Sequence, residues 1–239
     1  NNAFLIAIGQ CIIAGAVATW FFTPNDRKGK EPAIKTAVWN VFRYHAGSLA
    51  LGSFIIAVVQ FIRYFMKYME KQAAAQKNRC MVMVFRVLQC CIWCFEKCIK
   101  FLSKNAYIQI AIRGTNFCTS ARKAFQIIAA NILRFGTVAM LGSVVHYIGL
   151  VFIMASTTAG GYFILKAMHG TVSPVVPLII YAFLAYVIGK LYMNVFGLAV
   201  DTCLQCVIFA EDNNPGEDVI PEPLRSVIDT KPQPDKASV

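Results

Sequence analysis

Residues Pro174–Val200 read PVVPLIIYAFLAYVIGKLYMNVFGLAV, and Lys190 is their only charged side chain. A helix crosses a hydrocarbon layer of about 30 Å with about 20 predominantly apolar residues, so this run is long enough to span. The run before it, Val144–Leu165, reads VVHYIGLVFIMASTTAGGYFIL and carries no lysine, arginine or acid. Ala3–Phe22 and Ala46–Met66 are two further runs of the same kind. Four such segments (about 3–22, 46–66, 144–165 and 174–200) predict an all-α fold, a polytopic transmembrane helical bundle with interfacial or re-entrant helices. The whole chain agrees. Of 239 residues, 57% are hydrophobic and the mean hydropathy is +0.56, beyond the usual composition of a soluble domain.

Small residues crowd the first two spans: Ala7, Gly9, Ala14, Gly15 and Ala18 in one, Gly47, Ala50, Gly52 and Ser53 in the other. They let helix backbones approach closely where no hydrophobic force drives association. The chain starts at Asn1 with a span following at once and without a basic leader. It reads as a fragment of a longer protein, whose remaining N-terminal spans are its first expected partners. Residues 1–212 form the expected transmembrane transporter region. Residues 213–239, polar and with five prolines, are expected to be a disordered cytosolic tail.

The formal net charge is +11. The charges lie between the apolar runs, so anionic lipid headgroups and membrane topology explain them, not nucleic acid. Residues 67–134 hold twelve lysines and arginines against two acids, Glu70 and Glu96. The positive-inside rule puts residues 67–141 in the cytosol as an interfacial region. Within it Arg86, Gln89, Lys97, Lys100 and Lys104 share one helical stripe, while Val84, Val87, Leu88, Cys91, Cys94, Phe95, Cys98 and Phe101 cover other faces. This is the pattern of a helix lying on a membrane surface. Asn105–Arg122 is too polar for lipid and is expected to be re-entrant or buried in protein. Parity then sets Thr23–His45 outside and the C-terminus inside. The plasma membrane is the expected location. No Asn-x-Ser/Thr sequon occurs.

Several stretches resemble one family. They are Arg43–Ser53 (RYHAGSLALGS), Cys90–Lys97 (CCIWCFEK) with Ile99–Leu102 (IKFL), Asn105–Ile112 (NAYIQIAI) leading to Thr115–Arg122 (TNFCTSAR), and Val200-Asp201-Thr202. Together they are similar, in order over about residues 10–212, to the choline transporter-like proteins. The resemblance implies a solute carrier of about ten spans that moves choline, in some relatives ethanolamine or thiamine pyrophosphate, with proton exchange in some members. It implies that the N-terminal spans and a large extracellular loop are missing from this chain. Leu141–Tyr147 and the tail after Asp212 depart from the family's pattern.

A quaternary ammonium donates no hydrogen bond and is held by aromatic faces. The candidates on or beside spans are Trp20, Phe21, Tyr147, Tyr162, Tyr181, Tyr186 and Tyr192. Tyr162 and Tyr186 lie within spans, and Tyr147 and Trp20 complete the expected substrate set; the alternative for each is belt or bundle packing. Asp201 and His146 are the candidates for gating or proton coupling, with His45 open to the same two readings. Lys190 either snorkels or repels cations. Cys90, Cys91, Cys94 and Cys98 are expected lipidation sites or plain packing. Zinc is disfavoured, since one helix does not wrap four ligands round a metal. No nucleophile–base pair, phosphate loop or metal motif appears, so neither an enzyme nor a cofactor is expected. A choline-like molecule and membrane lipids are the other expected partners.

Overall fold

Lipid offers a backbone amide no hydrogen-bond partner, so spanning segments satisfy themselves as helices. A computed structural model describes residues 2–76, 79–168, 175–213 and 219–221, and contains helices and no strand among them. The helices are α1 (Asn2–Phe22), α2 (Ala33–Asn40), α3 (Ala46–Ala75), α4 (Arg79–Arg113), α5 (Phe117–Ala130), α6 (Ile132–Met168) and α7 (Val175–Asn213). Four helical stretches are long and apolar enough to cross a membrane: α1, the continuous Ala33–Ala75, α6 and α7. The chain is an integral membrane protein with an all-α fold. It divides into two units, residues 1–130 with 205–239, and residues 131–204.

The first unit is built on the small-residue face of α1, where Ala7, Cys11, Ala14, Ala18 and Phe21 are buried. A Cβ placed on Gly15 would stand 3.2 Å from that of Ala37, so α1 and α2 meet almost backbone to backbone. A π-helical turn, Val41–His45, joins α2 to α3. Such a turn adds a residue to the helix and often marks a functional position. Gly52 faces Tyr107 and Phe117, whose rings lie 6.0 Å apart. A Cβ there would come within 2.5 Å of the Phe117 ring, so only glycine fits.

α3 and α4 form an antiparallel pair pinned along its length. Glu96, buried on α4, receives hydrogen bonds from Arg63 at 2.6 Å, Lys100 at 2.5 Å and Gln60 at 3.4 Å. Farther out, Gln89 donates to Glu70 at 2.6 Å, and Arg86 pairs with the same carboxylate at 3.6 Å. The Lys100 hydrogen bond, opposed by burial and reinforced by Arg63 and Gln60, pushes the Glu96 carboxyl from 4.5 down to about 2. α4 ends at Gly114, whose φ of 68° lies in the left-handed region. Its N–H closes on the Ile110 carbonyl at 2.8 Å, an αL stop that glycine makes without a Cβ clash. α5 then packs through Phe117, Ser120, Ala124 and Ile127.

The second unit holds α6 and the part of α7 up to Leu204. The helices run antiparallel: Gly149 meets Met193, Gly161 meets the Tyr181 ring, and Gly189 meets Leu150 and Ile153. No residue of α6 is buried. The apolar stretch Ala124–Leu141 is divided between α5 and the first turns of α6.

Two sequence expectations change. Thr23–His45 and the C-terminal segment were set on opposite sides of the membrane. In the first unit, Lys28 Nζ donates to the Val219 carbonyl at 2.9 Å and Asn25 Nδ2 to that of Ile220 at 3.3 Å. The two segments therefore lie together. The α3–α4 pair folds back on itself, so that Gly114 at its end sits against His45 at its beginning. Parity counting gave Ala46–Met66, in α3, one passage and α4 none. Secondly, Ile220 and Pro221, inside the expected disordered tail, are buried. The rest of 214–239, and residues 169–174, lie outside the described residues.

Candidate functional site

The most specific stretch of sequence, Asn105–Ile112, lies at the centre of the first unit. Asn105, Gln109 and Gln205 are each 2% exposed or less. Buried polar groups must find partners, and these find one another. Gln109 donates to Gln205 at 2.7 Å, and Gln205 donates to Asn105 at 2.7 Å. Asn105 donates in turn to the Phe101 carbonyl at 2.9 Å. Arg113 donates to Gln109 at 2.9 Å, and its guanidinium lies 4.7 Å from the centre of the Phe209 ring. This ladder ties α4 to the last turns of α7. The Tyr107 hydroxyl is the exception, buried with no hydrogen-bond partner.

Beside it, a cavity of about 40 Å³ is lined by Cys11, Thr19, Asn40 and His45, with Gly15, Ala37, Val41 and Ala111. It holds a few waters at most, too little for an organic cation. A larger cavity, about 540 Å³, opens where α1 ends and α2 begins, and Trp20, Glu31, Pro32, Ile34 and Lys35 are among its walls. The Gly29 turn, with φ of 83°, shapes its rim. Trp20 is 42% exposed, and Lys28 Nζ stands 5.5 Å from its ring. The indole is thus already seated against one cation, with Glu31 on the same cavity wall.

The other expected substrate residues lie in the second unit and are not gathered. Tyr162 is 37% exposed with Lys166 6.0 Å over its ring. Tyr186 is 39% exposed with Lys190 5.6 Å over its ring. Tyr147 and Tyr192 are exposed, and Tyr181 packs on Gly161. Among the described residues no ring contact joins Tyr147, Tyr162 and Tyr186. Phe21 is fully buried in packing. His146 is half-buried with its ring 6.2 Å from that of Tyr147. Asp201 is half-buried and engaged with a partner. Cys90, Cys91, Cys94 and Cys98 are exposed free thiols. Among the described residues no group of three potential metal ligands comes together.

Sequence reasoning noted Asn105, Gln109 and Arg113 as too polar for lipid but did not connect them to Gln205. The signal was there: Gln205 follows the last span by one turn and is as out of place in an apolar helix as they are. Glu31 lies among other charges in the 23–45 link, and nothing in its sequence context points to the cavity.

Comparison with known proteins agrees with this picture. Residues 1–213 match the family described as plasma-membrane choline transporter. The chain is 37% identical over 210 residues to choline transporter-like protein 2 of Dictyostelium discoideum, covering 88% of this chain and 33% of that protein. It is 34% identical over 215 residues to choline transporter-like protein 1 of Rattus norvegicus, covering 90% and 33%. With the rat choline transporter-like protein 2 the figures are 36% over 226 residues, 89% and 32%. The chain spans about a third of the length of these relatives. Matched through its buried Asn105–Ile112 core and across almost every described helix, the chain belongs to the plasma-membrane choline transporter family.

Proposed function

We propose that the full protein carries choline or a related organic cation, ethanolamine included, across the plasma membrane as a secondary carrier. The family membership supports the substrate class, since its relatives are named choline transporter-like proteins. Relatives named as transporters also fit a role other than catalysis. The observation that carries the reading is the cavity of about 540 Å³ with Trp20 and Glu31 in its wall. An indole face attracts a quaternary ammonium by about 0.5–2 kcal/mol, and a carboxylate supplies the counter-charge without needing a donor from the ligand. Tyr162, Tyr186 and Tyr147 are proposed as further aromatic faces on the transport path. Asp201 and His146 are proposed for gating or proton coupling.

The far ends of the α3–α4 pair, where residues 67–104 carry eight lysines and arginines against Glu70 and Glu96, are proposed to face the cytosol.

Uptake of labelled choline by cells making the full protein is the test. Saturable uptake that falls about tenfold in Trp20→Ala and Glu31→Gln, roughly the worth of one desolvated cation–π contact or ion pair, supports the reading. Uptake no higher than in untransfected cells overturns it. A second reading, a membrane scaffold or lipid-binding protein, is favoured by the exposed basic stripe of α4. In that case charge reversal at Lys97, Lys100 and Lys104 abolishes function, and Trp20→Ala leaves it intact.

A further inference from the structure

α4 buries one side against α3, and the far side of the same helix carries thiols. At about 100° per residue, Cys90, Cys94 and Cys98 advance by about 40° a step and form a stripe, with Cys91 at its edge. Met83, Val87 and Phe101 extend the stripe in both directions and are 71%, 58% and 53% exposed. Glu96, 4% exposed, points the opposite way into the α3 contact. All four cysteines are free and exposed. They have no disulfide partner, and no metal-binding group forms among the described residues.

The flank of the stripe is basic. Arg86 is largely exposed, and Lys97 sits 5.6 Å over the Trp93 ring, which is itself 47% exposed. Trp at the edge of an apolar face, with cations beside it, marks the level of lipid headgroups. A positive flank beside an apolar face is complementary to an anionic leaflet, so a bilayer surface is the occupant this face fits. Thiols on such a face lie where acyl chains begin.

We propose that this stripe is S-acylated: Cys90, Cys94 and Cys98, with Cys91 at the edge, carry long-chain acyl groups that hold this face of α4 at the cytosolic leaflet. The donor is a long-chain acyl thioester of coenzyme A, presented by a transferase. The cysteine thiolate attacks the thioester carbonyl, and a new carbon–sulfur bond forms. The bond to coenzyme A breaks, and coenzyme A leaves as its thiol with the proton the cysteine gave up. No electron transfer is involved. An acyl chain on an amphipathic helix supplies the second membrane signal that stable anchoring requires. The proposal rests on the reading that α4 faces the cytosol, where such donors are found.

The test uses cells producing the full protein and fed an alkyne-tagged palmitate. The wild-type protein should take up label that neutral hydroxylamine releases. The quadruple variant Cys90→Ser, Cys91→Ser, Cys94→Ser, Cys98→Ser should lose roughly tenfold of it, as expected when the acyl acceptors are removed. The double variant Cys80→Ser, Cys118→Ser should keep it. Undiminished label in the quadruple variant overturns the proposal. If that variant fails to accumulate, the pair Cys94→Ser, Cys98→Ser decides: reduced label supports the proposal and unchanged label overturns it. A membrane-impermeant maleimide separates the two layers of the argument. Reaction of these thiols in intact cells overturns the cytosolic orientation, and the acylation with it. Reaction only after permeabilisation, with no lipid label, overturns acylation alone.

Discussion

The two units bury their apolar helices to very different degrees. In the first, 28% of the apolar window of α1 is buried, and the same share of that of α3; in the second, 6% of the α6 window and 11% of the α7 window. The hydropathy of the four is nearly the same, so composition does not explain the contrast. Buried polar side chains do. The first unit closes round Asn105, Gln109, Gln205 and Ser120 with partners for each, and a polar group in a core admits few arrangements. The second is an antiparallel pair whose helices are apolar all round, the mark of segments made to be covered by lipid or by other helices. One unit has its fold specified from within, and the other has it completed by its surroundings.

Adding side chains to glycines strains that contrast most. Gly52→Leu drives a side chain into the Tyr107 and Phe117 rings and should cost about 3 kcal/mol or more. A Cβ on Gly142 in the second unit meets nothing within 4 Å, so Gly142→Leu should be tolerated there. Size-exclusion profiles in detergent should show the first variant aggregated and the second like wild type. Equal behaviour would erase the distinction between the units.

Cutting the polar ladder comes next. Gln205→Leu leaves Asn105 and Gln109 short of a partner in a dry core and should destabilise the first unit by about 2–3 kcal/mol. The measurement is thermal unfolding in detergent, followed at residues of α1.

The Glu96 clamp is more modest and depends on pH. Its carboxyl is pushed down to about 2 from 4.5. The pairing with Lys100 and Arg63 therefore contributes fully above about pH 4.5 and is lost as pH falls through about 2. Hydrogen exchange along α3 and α4 should quicken over that window in wild type. Glu96→Gln should show fast exchange at every pH and no step.

The smallest effect belongs to the second unit. Lys190→Met removes an exposed cation on α7 and should shift stability in lipid nanodiscs by no more than about 0.5 kcal/mol, as at other exposed sites. A larger loss would mean that α7 relies on Lys190 over Tyr186 for its fold.

Much of this was legible in the residues. Apolar length fixed the α6 and α7 pair, because a helix in lipid answers to hydropathy alone. The small-residue face of α1 was visible for the same kind of reason: close approach needs small side chains wherever it occurs. The basic stripe of α4 followed from helical periodicity. The candidate site was less legible. Tyr162 and Tyr186 stood out because aromatic residues within spans are conspicuous, yet each ring faces a neighbouring lysine and not the other. Glu31 looked like one charge among several until the turn at Gly29 brought it to the cavity of Trp20.

The sequence by itself determined that this chain is helical and lives in a membrane, because burying a backbone in lipid depends on composition summed over about 20 residues. It also determined where charge gathers, since charge is a property of each side chain. Only the tertiary structure decided that Gln205 completes the ladder of Asn105 and Gln109. It alone set the link after α1 beside the C-terminal segment and turned the thiols of α4 away from its partner helix. Those depend on pairings between residues as many as 195 positions apart, and a hydrogen bond acts only across the last few ångströms, after the chain has brought its ends together.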